Sequence, residues 1–243
     1  MADRLYVVGD VHGCARELET LLAALPLERG DTLAFIGDYI DRGPDSRAVV
    51  DMMLDLRRRD DVTTVFLEGN HEAMCLAYLG RGGQWAEAWR MNGGVQTLRS
   101  YGMSPQVPGP RAAAEFPRAH VEFFESLRMS FTAGRFLLVH AGIRPGRTLE
   151  EQDPEDLLWI REEFIGSRHS LPQTIVFGHT PQRHVLVDLP YKIGIDTGCV
   201  YGGRLTAVEL SEGVLHQVVY GERQARQSPL PSDSMQRTAS SRP

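Results

Sequence analysis

A chain of 243 residues, 42% hydrophobic and 24% charged, is long enough for one large domain with a full core and has the balance of an ordinary globular protein. Its formal net charge of -6 gives no support to nucleic-acid binding, and no stretch approaches the about 18 apolar residues that span a membrane. Three cysteines, Cys14, Cys75 and Cys199, form no close-spaced pair, which excludes a disulfide framework and a thiolate zinc site.

The isolated thiols fit buried positions in a reducing cytoplasm. Met1 to Leu5 carries no basic stretch leading into an apolar run, so no signal peptide is expected and the location is expected to be cytoplasmic.

Leu5 to Val8 is a short apolar run stopping at Gly9-Asp10, the pattern of a buried strand ending at a turn. Glu17 to Leu25 has helical spacing, with Leu18, Leu21, Leu22 and Leu25 on one face. Thr32 to Ile36 is a second strand, ending at Gly37-Asp38. Ser46 to Arg58 is a helix, and Val62 to Leu67 a third strand stopping before Gly69-Asn70-His71. This alternation predicts βαβ units and a largely parallel sheet. Ligands of such sheets bind beyond the carboxyl ends of the strands, where the polar clusters fall.

Ala73 to Leu127 reads as helical, interrupted by a proline-rich loop at Ser104 to Pro110. Trp85 and Trp89, four apart, read as one helical face in the core, with a stacking surface over the site as the alternative. Phe136 to Val139 and Thr174 to Phe177 are further strands, ending at His140 and at Gly178-His179. Val185 to Tyr220 reads as antiparallel strands of a second sheet. Residues 1–221 are expected to form one folded domain. Residues 222–243 lack an apolar face and are expected to be a disordered tail.

Taken singly, each cluster has an ordinary explanation: Asp10 as a helix cap, Asp38 to Arg42 as a charged turn, His140 and His179 as core histidines. Together they place carboxylate, amide or imidazole donors at five strand ends. Neighbouring strand ends lie about 4.8 Å apart, so such donors converge on one patch. Oxygen donors mixed with imidazoles suit manganese, iron or zinc.

Gly9-Asp10-Val11-His12-Gly13, Gly37-Asp38 to Asp41-Arg42-Gly43, Gly69-Asn70-His71-Glu72, Val139-His140-Ala141-Gly142 and Gly178-His179-Thr180 resemble the ordered signature of the phosphoprotein phosphatases, a branch of the calcineurin-like metallophosphoesterases. The likeness spans about Tyr6 to Glu209 and is nearest to bacterial and phage serine/threonine protein phosphatases. Bacterial symmetrical diadenosine tetraphosphatases share most of the motifs, but usually differ at the positions of Asp41 and Glu72.

The resemblance implies an α/β fold of two mixed β-sheets packed as a sandwich flanked by helices. It implies two divalent metal ions, manganese first and iron or zinc as alternatives. Asp10 and His12 would bind the first metal, Asp38 would bridge, and Asn70, His140 and His179 would complete the second site. Arg42 would clamp phosphate, and His71, held by Asp41, would be the acid at the leaving group. Leu158-Trp159-Ile160-Arg161 matches a bacterial motif that suggests Arg161 as a second clamp.

Two cations roughly 3.5–4 Å apart can share a water and lower its pKa toward neutrality. The expected reaction is attack on phosphorus by a metal-bridging hydroxide, without a phosphoenzyme. The expected substrate is a phosphorylated protein or a small phosphoester, with a symmetrical diadenosine tetraphosphatase as the alternative activity. No nucleic-acid or membrane partner is expected, and the oligomeric state is left open.

Overall fold

The computed structural model describes residues 4–232. In chain order the first half comprises β1 (Leu5–Val8), α1 (Ala15–Ala24), β2 (Thr32–Phe35), α2 (Ser46–Arg57), β3 (Thr63–Phe66), α3 (Asn70–Tyr78) and α4 (Ala86–Trp89). A 3-10 turn at Arg90–Asn92 leads to α5 (Gly94–Ser100), α6 (Gly109–Glu115) and α7 (Arg118–Glu125). Then come β4 (Ser130–Ala133), β5 (Phe136–Val139), α8 (Pro154–Trp159), α9 (Glu162–Ile165), β6 (Thr174–Phe177), β7 (Leu186–Asp188) and β8 (Lys192–Gly194). A 3-10 turn at Cys199–Tyr201 precedes β9 (Arg204–Glu209), β10 (Val214–Val219) and β11 (Ala225–Pro229).

Among the described residues the strands form a six-stranded sheet, ordered β11-β10-β9-β1-β2-β3, and a five-stranded sheet, ordered β4-β5-β6-β8-β7. β1, β2 and β3 run parallel, as do β5, β6 and β8. Both sheets are therefore mixed, and the α/β sandwich expected from the sequence is the observed architecture.

Strand alternation explains the layering. Val7, Ala34, Ile36 and Val65 from the first sheet meet Leu138, Val176 and Ile193 from the second in one apolar layer between the sheets. Tyr6, Val8, Leu33 and Phe35 point the other way, into a core shared with α1, α2, α3 and α7. Leu137, Val139, Ile175 and Phe177 pack outward against Leu157, Ile160 and Phe164 of the α8–α9 region. Strands covered on both faces read as continuous apolar runs, which is why these were visible in the sequence.

Three expectations are corrected. Of the strands placed in the second sheet between Val185 and Tyr220, β7 and β8 belong there, but β9 and β10 join the first sheet through β1. β8 is also parallel to β6 rather than antiparallel. The segment expected to be disordered from Glu222 contains β11, which extends the first sheet by pairing with β10 from Val214↔Pro229 to Val218↔Ala225. The remainder of that expected tail, 233–243, lies outside the described residues. Among those described, no helix is long and apolar enough to cross a membrane.

Candidate active site

The carboxyl ends of β1, β2, β3, β5 and β6 open on one seam where the two sheets meet; β1 delivers two of the predicted donors, Asp10 and His12, and each of the others delivers one. His12 Nδ1 lies 2.8 Å from the Ile40 carbonyl and His140 Nδ1 2.8 Å from the Ile36 carbonyl. Donation from each Nδ1–H turns the opposite nitrogen, Nε2, toward the seam. Asp38 sits between them, Oδ2 at 3.4 Å from His12 Nε2 and Oδ1 at 3.4 Å from His140 Nε2. Asn70 Oδ1 is 3.0 Å from His140 Nε2 and 2.9 Å from His179 Nδ1. Asp10 accepts the His179 backbone N–H at 3.0 and 3.2 Å.

These donors define two groups of metal-ligating geometry. One is His12, Asp38 and His71, the other Asp38, His140 and His179, each with its ligand atoms within 4.8 Å of one another. Asp38 belongs to both. Asp10 is a member of neither and stands beside them, turned to the His179 amide.

The backbone is bent to make this convergence. Among the described residues six non-glycine positions have positive φ, and five of them are His12, Asp38, Asp41, Arg42 and His179. Such conformations cost about 1–3 kcal/mol each and persist where surrounding structure enforces them. Glu72 supplies much of that enforcement. Its Oε2 accepts N–H from Asp38 at 2.9 Å and Gly69 at 3.0 Å, and its Oε1 accepts from Tyr39 at 2.9 Å and Ile40 at 3.2 Å. Gly69 must be glycine, because a Cβ there would stand 2.2 Å from Asp38 Oδ1.

The electrostatics fit cations. Burial lowers His12 to about 3 and His179 to about 2, and it also lowers His140, so the imidazoles are neutral donors at neutral pH. Burial, followed by the Asp196 and Asp38 carboxylates, raises Asp10. Burial opposes charge on Asp38 too, but His140, His71 and His12 around it prevail and hold it well below the usual carboxylate range. Neutral imidazoles and crowded carboxylates are the protonation pattern that divalent cations complete.

His71 and Asp41 form a buried pair, Nδ1 to Oδ2 at 2.6 Å. His71 Nε2 is buried without a hydrogen-bond partner and lies 4.0 Å from Asp38 Oδ2. Arg42 bonds His12 Nε2 through Nη1, and its guanidinium lies 5.7 Å from the ring of the exposed Tyr201. Arg161 is exposed at the head of α9 and lines a cavity with Trp159, whose ring is 6.1 Å from that of His179.

The tryptophan pair divides. Trp89 is fully buried, as expected, whereas Trp85 is 51% exposed and packs 5.8 Å from Trp159. Sequence reasoning missed Asp196, which is buried and raised to about 6, chiefly by that burial. It follows β8 just as His179 follows β6, and Phe177 pairs with Gly194, so the two residues emerge side by side. The signal was a strand ending before an aspartate, hidden because the segment was read as antiparallel.

The chain belongs to the calcineurin-like phosphoesterase family, whose model matches residues 3–221. It is a metallophosphoesterase by that membership. Serine/threonine-protein phosphatase 1 of Salmonella typhimurium is 32% identical over 212 residues, covering 85% of this chain and 91% of its own. The asymmetrical bis(5'-nucleosyl)-tetraphosphatase PrpE of Geobacillus thermodenitrificans is 30% identical over 238 residues, covering 85% and 90%. A crystal structure of a candidate diadenosine tetraphosphatase superposes with a TM-score of 0.67 at 27% identity, covering 90% of this chain and 94% of that one.

Proposed function

We propose that this metallophosphoesterase removes phosphate from serine and threonine side chains of proteins. Asp10, His12, Asp38, Asn70, His140 and His179 would hold two divalent ions, with manganese the expected pair. When bound, the ions supply Lewis-acid charge at the phosphate and a hydroxide nucleophile at neutral pH. Arg42 and Arg161 flank the seam and neutralise phosphate oxygens as charge spreads over the transferred group. His71 gives its Nε2 proton to the departing oxygen, and Asp41 holds the ring from the Nδ1 side.

The observation that carries the reading is the buried His71–Asp41 pair, with His71 Nε2 left unpartnered beside Asp38. A serine or threonine alkoxide is a poor leaving group and needs a proton as it departs. The departing phosphate of a dinucleoside polyphosphate needs one far less.

A second reading, dinucleoside polyphosphate hydrolysis, draws on Trp85 and Trp159 as a stacking surface and on the PrpE-named relatives. Those relatives are asymmetrical enzymes rather than the symmetrical ones considered from sequence. Against this reading, the cavity beside Trp159 is mixed in charge, lined by Asp153, Glu155, Asp156 and Glu163 as well as by Arg144, Arg147 and Arg161, and is not the basic channel that a polyphosphate chain calls for. Arg144, in the same wall, is bonded to Asp156 and Glu163.

The test is kcat/KM for phosphoserine and phosphothreonine peptides against diadenosine tetraphosphate, on one manganese-loaded preparation. The peptides are expected to be the better substrates. A preference of about tenfold or more for the dinucleotide, abolished in Trp85→Ala, would promote the second reading.

A further inference from the structure

The stretch from Trp85 to Thr97 contributes none of the predicted metal donors, yet it grips the proton-delivery pair from behind. The buried Trp89 indole donates its Nε1–H to Asp41 Oδ2 at 2.8 Å, the same oxygen that faces His71 Nδ1 at 2.6 Å. Thr97 Oγ1 donates to Asp41 Oδ1 at 2.6 Å and accepts the Asp41 backbone N–H at 2.9 Å. Ser46 Oγ stands 3.0 Å from both the Asp41 N and Thr97 Oγ1.

The same stretch touches the phosphate clamp. Gly93 accepts the Arg42 backbone N–H at 3.2 Å. Gly94 passes flush over the Trp89 indole, where a Cβ would lie 2.5 Å from the ring. The Tyr78 ring also packs on that indole, 4.8 Å between ring centres.

We propose that Trp89, assisted by Thr97, is a positioning residue for proton delivery; this rests on the acid role of His71 proposed above. His71 Nε2 has no partner among the described residues, so hydrogen bonding fixes this ring from its Nδ1 side, through Asp41. A carboxylate can turn about its own bond. With Trp89 on one oxygen and Thr97 on the other, the Asp41 plane is pinned, and the direction in which His71 presents Nε2 is pinned with it. A phenyl ring could fill the same space in the core. The indole N–H adds direction, and a group that must deliver a proton along one line needs direction more than bulk.

The test uses Trp89→Phe in the full chain, with metal content and thermal midpoint as controls. Steady-state rates are compared on a phosphoserine peptide, whose leaving group is an alkoxide, and on p-nitrophenyl phosphate, whose leaving group needs little protonation. The expected result is a fall in kcat of about tenfold on the peptide, with KM and metal content nearly unchanged and the aryl rate within about twofold. Thr97→Val should show the same selective loss, and Thr97→Ser, which keeps the donor, should restore the rate.

An equal fall on both substrates, or a change confined to KM, would show that Trp89 merely packs, and overturns the assignment. If Trp89→Phe does not fold, the Thr97→Val and Thr97→Ser pair answers the same question. His71→Asn, assayed alongside, separates the two claims. If it shows no leaving-group dependence, the acid role falls and the positioning role with it. If it does and the Trp89 and Thr97 variants do not, the positioning role alone falls.

Discussion

The Glu72 carboxylate accepts the backbone N–H of Asp38 at 2.9 Å, so the residue shared by both donor groups is held by a side chain from the next motif along the chain. Glu72→Ala would leave the N–H groups of Asp38, Tyr39, Ile40 and Gly69 without this acceptor. Each such loss inside a protein costs about 1–3 kcal/mol before relaxation. The variant should lose at least about 3 kcal/mol in urea unfolding and bind metal more weakly. An unchanged urea midpoint would show that other groups hold the 38–40 turn.

Asp38 offers its two oxygens to two different groups, so Asp38→Asn should weaken both metal positions together. Elemental analysis of the purified variant measures this directly. Two metals at full occupancy with near-normal turnover would remove the bridging role.

Protonation predicts acid sensitivity of the metal-free protein. His12, His140 and His179 are lowered from an unfolded value of about 6.5, in each case first by burial. A base whose folded pKa is depressed binds fewer protons folded than unfolded. Its stabilising effect is complete above about pH 6.5 and declines as pH falls toward the folded value. Asp10, raised by burial, acts in the opposite sense, stabilising at low pH and losing that effect as pH rises through its folded value. Asp41, Glu72 and Asp196 are raised chiefly by burial as well and act in the same sense as Asp10, so four buried acids offset the histidines, each group with a slope of up to about 1.4 kcal/mol per pH unit. The histidine contribution is isolated by difference: in chelator-treated protein His179→Asn should lessen the loss of stability between about pH 7 and about pH 5, relative to the unaltered chain, by about 1–2 kcal/mol. An unaltered profile would contradict a neutral, buried imidazole.

Ending the chain at Gly221 removes β11. Its residues are mostly exposed, so the stability loss should be small, about 1–2 kcal/mol, and turnover on an aryl phosphate should hold. The newly bared edge of β10 should promote self-association, visible in sedimentation at high concentration. A truncated protein that associated no more than the full chain would show that β10 needs no cover.

The strand ends that carry the candidate donors were legible because each parallel strand announces itself as an apolar run and then stops at a polar residue. Leu5–Val8 before Asp10 and Phe136–Val139 before His140 follow that rule in different sheets. The partition of strands between sheets was not legible. β9 continues from β8 in the chain yet pairs with β1, and the choice between the sheets is made by tertiary packing that no local pattern encodes. β11 was missed for a related reason. It is held by main-chain pairing at an edge, so it has no need of the apolar alternation that betrays a strand. Trp89 was half visible: the four-residue spacing put it in the core but put Trp85 there too, which is exposed, and the Trp89 bond to Asp41 joins residues 48 positions apart.

The seam itself has a consequence for how the molecule is assembled. Asn70 from the first sheet meets His140 and His179 from the second, and Asp10 meets His179 across 169 positions of sequence. The group of His12, Asp38 and His71 follows strands of the first sheet alone, but the set in which Asp38 and Asn70 meet His140 and His179 is complete only with both sheets. A cation held there would rivet the two sheets, closing loops that span most of the chain and ruling out half-formed states in which only one sheet is in place. Acquisition of that cation would thus serve as a checkpoint on folding, passed only when both halves of the sandwich have met.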